Sequence, residues 1–284
     1  MERIRKTETV LKSKPTIEGA GVHLKRAFGH NEVPLLDPFL LLDHFGSENP
    51  EDYLAGFPWH PHRGIETVTY MIEGLVEHGD SMGNEGAIGT GDIQWMTAGS
   101  GIIHQEMPRR WEIPTAGFQL WINLPASHKM MDPRYRDVKK DQIPEIRPRQ
   151  NTKVKVICGE FNGTKGPMQD IVVDIEYLDI SLEPHTVFNH PSPAGNTTFA
   201  YIFDGAGYFD PRRETLVSSE HLVLFQDGDS VRITSADDSL RFLLISGRPI
   251  EEPVAWHGPI VMNNQEELDL AFKEYRNGTF IKHR

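Results

Sequence analysis

The sequence predicts an all-β protein, a duplicated β-domain closed by one C-terminal helix. Three observations carry this. Twenty-five glycines and 20 prolines among 284 residues cut the chain into short segments, which suits turns and strands better than helix bundles. Apolar residues alternate with a period of two in several of these segments, the mark of half-buried strands. The second half also echoes the first. TTFAYIFDGAGYF, from Thr197, repeats the order of ETVTYMIEGLVEH, from Glu66: strand, acidic residue, glycine turn, strand. FQDGDSVRIT, from Phe225, matches GTGDIQWMT in the same way, and LRFLLISG, from Leu240, matches GFQLWINL.

Taken in order, residues 3 to 28 alternate weakly and are expected to form one or two edge strands. DPFLLLDHF, residues 37 to 45, is a short apolar strand with His44 as a polar cap. A loop, GSENPEDYLAGFP, leads into FPWHPHRGIETVTYMIEG, residues 57 to 74. Beyond Gly74 the chain is a glycine-punctuated run of short strands and tight turns, in which His78 is expected to be exposed. FQLWINLP, residues 118 to 125, is a further strand. MDPRYRDVKKDQIPEIRPRQ mixes proline with dense charge of both signs and reads as a linker. The expected division is therefore residues 1–132 for a metal-binding domain, 133–150 for the linker and 151–284 for a metal-free domain carrying the helix. In that helix Asn263 or Asn264 is the N-cap, Leu268, Ala271, Phe272 and Tyr275 form an apolar stripe, and Gly278 is the stop.

Composition narrows the function. A formal net charge of −12 disfavours direct contact with a nucleic-acid backbone. There is no run of about 18 apolar residues to span a membrane. The N-terminus, MERIRKTETVLKSKP, is basic without an apolar segment and does not read as a secretory signal. The single cysteine, Cys158, cannot form an internal disulfide and reads as a small buried side chain. The expected setting is the cytoplasm, or the nucleus if the source is eukaryotic.

The strongest chemical signal is a set of metal-ligating side chains. His60 and His62 are one residue apart and share their parity with the apolar Val68, Tyr70 and Ile72. On a regular strand both imidazoles would then point inward. GSGIIHQEM, residues 99 to 107, repeats the device with His104 and Glu106. A lone His-x-His pair is more often surface or core than ligand, but two such sets can converge on one ion. Glu66 shares the parity of the first pair and is a rival carboxylate, unless a bulge at Gly64 turns it away. Aligning the two halves through Gly74 and Gly205 places Pro191 on His60 and Pro193 on His62. Proline has no donor atom, so the second domain is expected to hold no metal. His185, His190 and His221 form no same-strand pair and read as structural or surface residues.

LLLDHFG, FPWHPHRGIETVTYMIEG, GDIQWMTAGSGIIHQEMP, GFQLWINLP and EEPVAWHGPIVMN together resemble the pirin family of bicupins along almost the whole chain. The resemblance implies two antiparallel β-barrels of the jelly-roll or cupin type, with iron in the first. It implies His60, His62, His104 and Glu106 as the metal ligands, which frees Glu66. Such a donor set suits non-haem Fe(II), with Mn, Ni, Co or Zn as alternatives, and leaves room for substrate and O₂. Some pirins are similar in activity to quercetin 2,3-dioxygenase, which implies a flavonol-like aromatic substrate, with Glu106 or Glu66 as general base. Others act as nuclear cofactors of transcription factors, which implies a regulatory or redox-sensing role through a protein partner. A third reading, processing of a sugar-like ligand, needs a basic pocket, and only Arg63 lies near the motif. Phe57, Trp59, Met71, Trp95 and Met96 are near the ligands in sequence and could line a pocket or fill the core.

Overall fold

Strand pairing ties the two ends of the chain to sheets that sequence order does not suggest. The computed structural model describes residues 3–110 and 114–283. It divides into two compact units, one of Lys14–Lys140 with Ile250–Arg284 and the other of Met1–Ser13 with Asp141–Pro249. The chain opens with β1 (Thr7–Lys12), β2 (Lys14–Glu18), β3 (Val22–Phe28) and β4 (Phe39–Ser47). The motif strands β5 (Phe57–His62) and β6 (Ile65–Glu73) follow, then β7 (Leu75–Asp80) and β8 (Glu85–Gly89). Next come β9 (Ile93–Thr97), β10 (Ile102–Pro108), β11 (Thr115–Asn123) and β12 (Arg134–Val138).

The other unit continues with β13 (Glu145–Arg149), β14 (Thr152–Cys158) and a short hairpin, β15 (Glu160–Phe161) and β16 (Thr164–Lys165). It is completed by β17 (Ile175–Leu182), β18 (Val187–Pro191), β19 (Thr197–Asp204), β20 (Ala206–Tyr208) and β21 (Leu216–Ser218). Then come β22 (His221–Phe225), β23 (Ser230–Ser235) and β24 (Leu240–Gly247). The chain ends with β25 (Ala255–His257), β26 (Ile260–Met262) and helix α1 (Gln265–Arg276).

The duplication is strand for strand. The first unit has a seven-stranded sheet in the order β12-β9-β6-β11-β4-β3-β2 and a four-stranded sheet β5-β10-β7-β8. The second has β1-β22-β19-β24-β17-β14-β13 and β18-β23-β20-β21. Each unit is thus a jelly-roll-like pair of antiparallel sheets, open rather than fully closed into a barrel. No described helix is long and apolar enough to cross a membrane.

Two expectations of domain organisation differ from what is found. The stretch read as a linker contains β12, paired with β9, and β13, paired with β14. Backbone pairing with an existing sheet edge orders this charged segment although its side-chain periodicity is weak. The chain ends also cross over. β1 is an edge strand of the second unit, with Val10 opposite Val223, whereas β25, β26 and α1 belong to the first. The helix itself forms as expected: Asn264 accepts the Glu267 N–H at 2.9 Å, and Leu268 and Ala271 are buried against Ile260, Met262 and Phe280.

Apolar side chains fill the interior of the second unit. Phe188 and His190 on β18 are buried, as are Val231 and Ile233 opposite them on β23. The His190 imidazole is bonded to Glu176 at 2.8 Å and stacks on Phe161. Pro191 ends β18 opposite Ser230, and the Pro193 carbonyl accepts from the Arg5 guanidinium.

Candidate metal centre

Gly64 sets the geometry of the site. Its φ of +79° suits glycine, and a Cβ there would lie 1.9 Å from the Val261 carbonyl oxygen. The turn it makes between β5 and β6 breaks the strand parity that a regular strand would have kept. Thr69, not Val68 or Tyr70, reaches Glu106 in the interior. Successive side chains alternate in face, so Glu66 lies on the other face of β6 from Thr69. There Glu66 is buried, accepts from Thr97 Oγ1 at 2.6 Å and lies 3.9 Å from Arg134. Burial pushes its carboxyl above the ordinary range. The expectation that the histidines share a face with Val68 and Tyr70 is corrected accordingly.

The hydrogen bonds between β5 and β10 bring His60 opposite His104 and His62 opposite Ile102, with a register shift before Glu106, which pairs with Phe57. The nitrogens of His60, His62 and His104 available to a metal lie within 4.8 Å of one another. His62 and His104 are buried and His60 partly so. Backbone carbonyls fix two of the tautomers. His60 Nδ1–H donates to Pro58 at 2.8 Å and His62 Nδ1–H to Pro259 at 3.1 Å. Both Nε2 atoms are then bare lone pairs, yet they face each other at 3.1 Å. His104 Nε2 is buried without a hydrogen-bond partner. Two bare nitrogens facing each other beside a third, buried and unpartnered, are unfavourable unless a cation sits among them, so this donor set fits a metal ion.

Electrostatics agree with that reading. Burial, and then the neighbouring imidazoles, hold His62 and His104 well below the ordinary histidine range, where each is neutral and able to ligate. Glu106 is buried on the same face of β10 as His104, but its carboxylate lies outside the three-histidine cluster. It accepts from Thr69 at 3.0 Å and from Gln119 Nε2 at 3.1 Å. Gln119 is oriented in turn by Trp121, whose indole N–H donates to Oε1 at 3.4 Å, so the amide NH₂ faces Glu106.

His60 and His62 open onto a cavity of about 530 Å³, a size ordinary for a small-molecule site. Trp121 and Trp256 form an aromatic wall with ring centroids 5.8 Å apart, and Trp121 meets His62 edge to face at 5.1 Å. Phe57 and Leu41 add apolar surface. Arg26 also lines the cavity, but Asp43 holds it at 2.7 and 2.8 Å and Glu18 at 2.9 Å. Among the described lining residues Arg26 is the one Lys or Arg, and it is neutralised, which counts against the sugar-like ligand that a basic pocket would favour.

Of the residues left open between pocket and core, Phe57 lines the cavity. Trp59 is 52% exposed, and Met71 and Met96 are core residues. Trp95 is buried beside Glu66, on the face away from the cavity. Trp121, Gln119, Thr69, Trp256 and Pro259 were missed. The signal for the first two was present: Gln119 and Trp121 share a parity on β11. Trp256 and Pro259 lie in the EEPVAWHGPIVMN motif, but nothing in the sequence says that this far end of the chain reaches the histidines. His44 stacks on Phe118 rather than acting as a free cap. His78, expected to be exposed, is buried and bonded to the Tyr135 hydroxyl, because β7 pairs on both edges.

The sequence matches the family description Pirin over residues 21–122 and Pirin C-terminal cupin domain over residues 177–281. A pirin-like protein of Caulobacter vibrioides is 44% identical over 278 residues, covering 98% of this chain and 99% of that one. Human pirin is 41% identical over 268 residues, covering 93% and 90%. Among solved structures, quercetin 2,3-dioxygenase from Acinetobacter baumannii aligns with a TM-score of 0.88 at 29% identity, covering 98% of both chains. A bacterial pirin from Escherichia coli in complex with nickel(II) shares the fold at 20% identity, with a TM-score of 0.64, covering 85% and 98%. With the motif strands, the duplicated jelly roll and relatives along the whole length, the chain belongs to the pirin family of bicupins.

Proposed function

We propose that the protein is a metal-dependent dioxygenase that opens the central ring of a flavonol such as quercetin. Fe(II) is the working metal in this reading, with Mn, Ni, Co or Zn able to occupy the same donors. The observation that carries it is the cluster of three histidine nitrogens, two of whose rings, His60 and His62, line an aromatic-walled cavity. The solved relative named quercetin 2,3-dioxygenase supports the substrate class.

His60, His62 and His104 would hold the metal, with Glu106 as fourth ligand or as base beside it. When bound, the metal supplies Lewis acidity to the flavonol's hydroxyl and carbonyl pair and a place for O₂ next to it. Trp121 and Trp256 orient the flat rings, and Phe57 and Leu41 keep water from them. Pro58 and Pro259 keep the two Nε2 atoms turned inward. Glu106, steadied by Thr69 and Gln119, takes the proton of the hydroxyl. Glu66 is left out of this role because it occupies the other face of β6. Both atoms of O₂ enter the product and one ring carbon leaves as carbon monoxide. The working setting is the cytoplasm (or the nucleus in a eukaryote), with no direct nucleic-acid contact.

Aerobic quercetin with the iron-loaded protein should lose its visible absorbance while carbon monoxide is released. Both should stop on chelation. Glu106→Gln should slow turnover by about 10²-fold or more, the usual worth of a positioned base. Iron-loaded protein that leaves quercetin intact in air would replace this reading with the family's regulatory one, in which the metal site governs binding of a protein partner.

A further inference from the structure

A second, much smaller cavity of about 30 Å³ lies directly behind Glu106. Val22, Leu24, Phe45, Phe57 and Val76 give it a largely apolar wall. Its polar boundary is Glu106, Thr69, Gln119, Asp43 and Tyr53, and the first four are engaged with protein partners. Thr69 and Gln119 donate to Glu106 at 3.0 and 3.1 Å, and both Asp43 oxygens accept from Arg26, at 2.8 and 2.7 Å. Phe57, Asp43 and Gln119 line both this cavity and the larger one.

Size and polarity decide what such a space can hold. One water occupies a sphere of roughly 10–15 Å³, so a space this small accepts a molecule of a few light atoms but no aromatic ring. Water is kept in a buried site by two to four polar partners, and an apolar wall offers few. From this we infer that the cavity is a subsite for a small apolar diatomic gas, with dioxygen as its ligand. The inference rests on the dioxygenase reading for its purpose. It deepens that reading by giving the second substrate a place of its own beside Glu106, apart from the flavonol. No bond forms or breaks there. The subsite only concentrates dioxygen next to the reacting groups.

The test needs neither turnover nor a redox metal. In the full chain loaded with zinc, dissolved dioxygen should enhance methyl relaxation at Val22, Leu24 and Val76. The enhancement should exceed that at Leu178 and Ile180, equally buried in the other unit, by about fivefold or more. Xenon should compete for the space and suppress it. Val76→Phe, which fills the cavity, should abolish it and raise the KM for dioxygen about tenfold, with the KM for flavonol and the metal content unchanged. Lining methyls no more relaxed than Leu178 in the wild type would overturn the gas subsite whatever the activity, as would an ordered water held there against xenon. If the relaxation effect is present but flavonol is never consumed, the dioxygenase reading fails while gas binding stands.

Discussion

At the residue scale, one glycine and one lysine hold the site's turn. Gly64 donates its N–H to Gly99, and its carbonyl accepts from the Lys129 ammonium at 2.9 Å. Lys129 also donates to Asn123 Oδ1 at 2.7 Å and to the Val261 carbonyl at 3.1 Å. A methyl at position 64 would strike Val261, so Gly64→Ala should cost about 3 kcal/mol or more, combining backbone strain with overpacking. Chemical denaturation within about 0.5 kcal/mol of wild type would contradict that. Burial lowers Lys129 from its ordinary 10.5 to about 7. Between those values the unfolded chain binds the proton and the folded chain does not, so this residue makes stability rise with pH across that window. Its contribution is complete above 10.5 and lost as pH falls through about 7. The difference in unfolding free energy between wild type and Lys129→Met should therefore grow in favour of wild type by up to about 1.4 kcal/mol per pH unit. A difference that stays flat from neutral to alkaline pH would refute the buried-amine account. The three histidines stood out in the sequence because two His-bearing motifs could converge on one ion, and the fold brings their nitrogens within 4.8 Å of one another. The role of Lys129 was not, since its acceptors lie on three separate segments.

At the element scale, the β5–β6 junction is pinned by the last elements of the chain. Arg63, next to His62, is buried and bonds Ser100 O at 2.7 Å, Phe280 O at 2.9 Å and the Glu274 carboxylate at 2.8 Å. Its guanidinium also lies over the Phe280 ring, 4.3 Å from the centroid. The Arg63 carbonyl also accepts the Val261 N–H at 3.1 Å, two residues beyond the Pro259 that bonds His62. The helix therefore steadies a ligand it does not touch. Arg63→Met leaves the Ser100 and Phe280 carbonyls without their donor and removes one of the two cations on the half-buried Glu274, which Lys282 still holds at 2.7 Å, and a loss of about 1–3 kcal/mol for each stranded carbonyl is expected. Glu274→Gln keeps a hydrogen bond and should lose less. Metal affinity should fall with the first variant by about 10-fold or more, as for other groups that orient ligands. An unchanged affinity in a folded Arg63→Met protein would show that the junction holds itself. Sequence periodicity found the helix, a cap at Asn263 or Asn264 and the buried Leu268 and Ala271, because these are local, whereas Tyr275 of the expected stripe is exposed. It assigned the helix to the wrong unit, because a stripe at helical spacing says that a sheet lies beneath and not which one.

At the scale of the whole molecule, two copies of one topology have diverged in their interiors. Sequence similarity between the halves revealed the duplication, since shared strand order leaves shared turn glycines such as Gly74 and Gly205. It could not reveal that the ends exchange, because an edge strand carries only a weak pattern and its partner is chosen by backbone hydrogen bonds. The first unit keeps three imidazoles inside, and the second packs Phe188, Phe209, Phe225 and Phe242 in its core. We expect one equivalent of metal per chain after Fe(II) loading, abolished by His62→Ala; two equivalents of similar affinity would show the second interior to be a site as well. The exchanged ends make a sharper expectation. Removing residues 3–12 deletes β1 and bares the β22 edge of the second unit, so it should lower the unfolding midpoint without changing metal stoichiometry. Ending the chain after Pro249 removes Trp256, Pro259 and Glu274, so it should strip the first unit of metal even though every histidine ligand remains. Division into an N-terminal metal domain and an independent C-terminal one predicts the reverse. Metal retained after the C-terminal truncation, or lost after the N-terminal one, would favour that division over the pairing described.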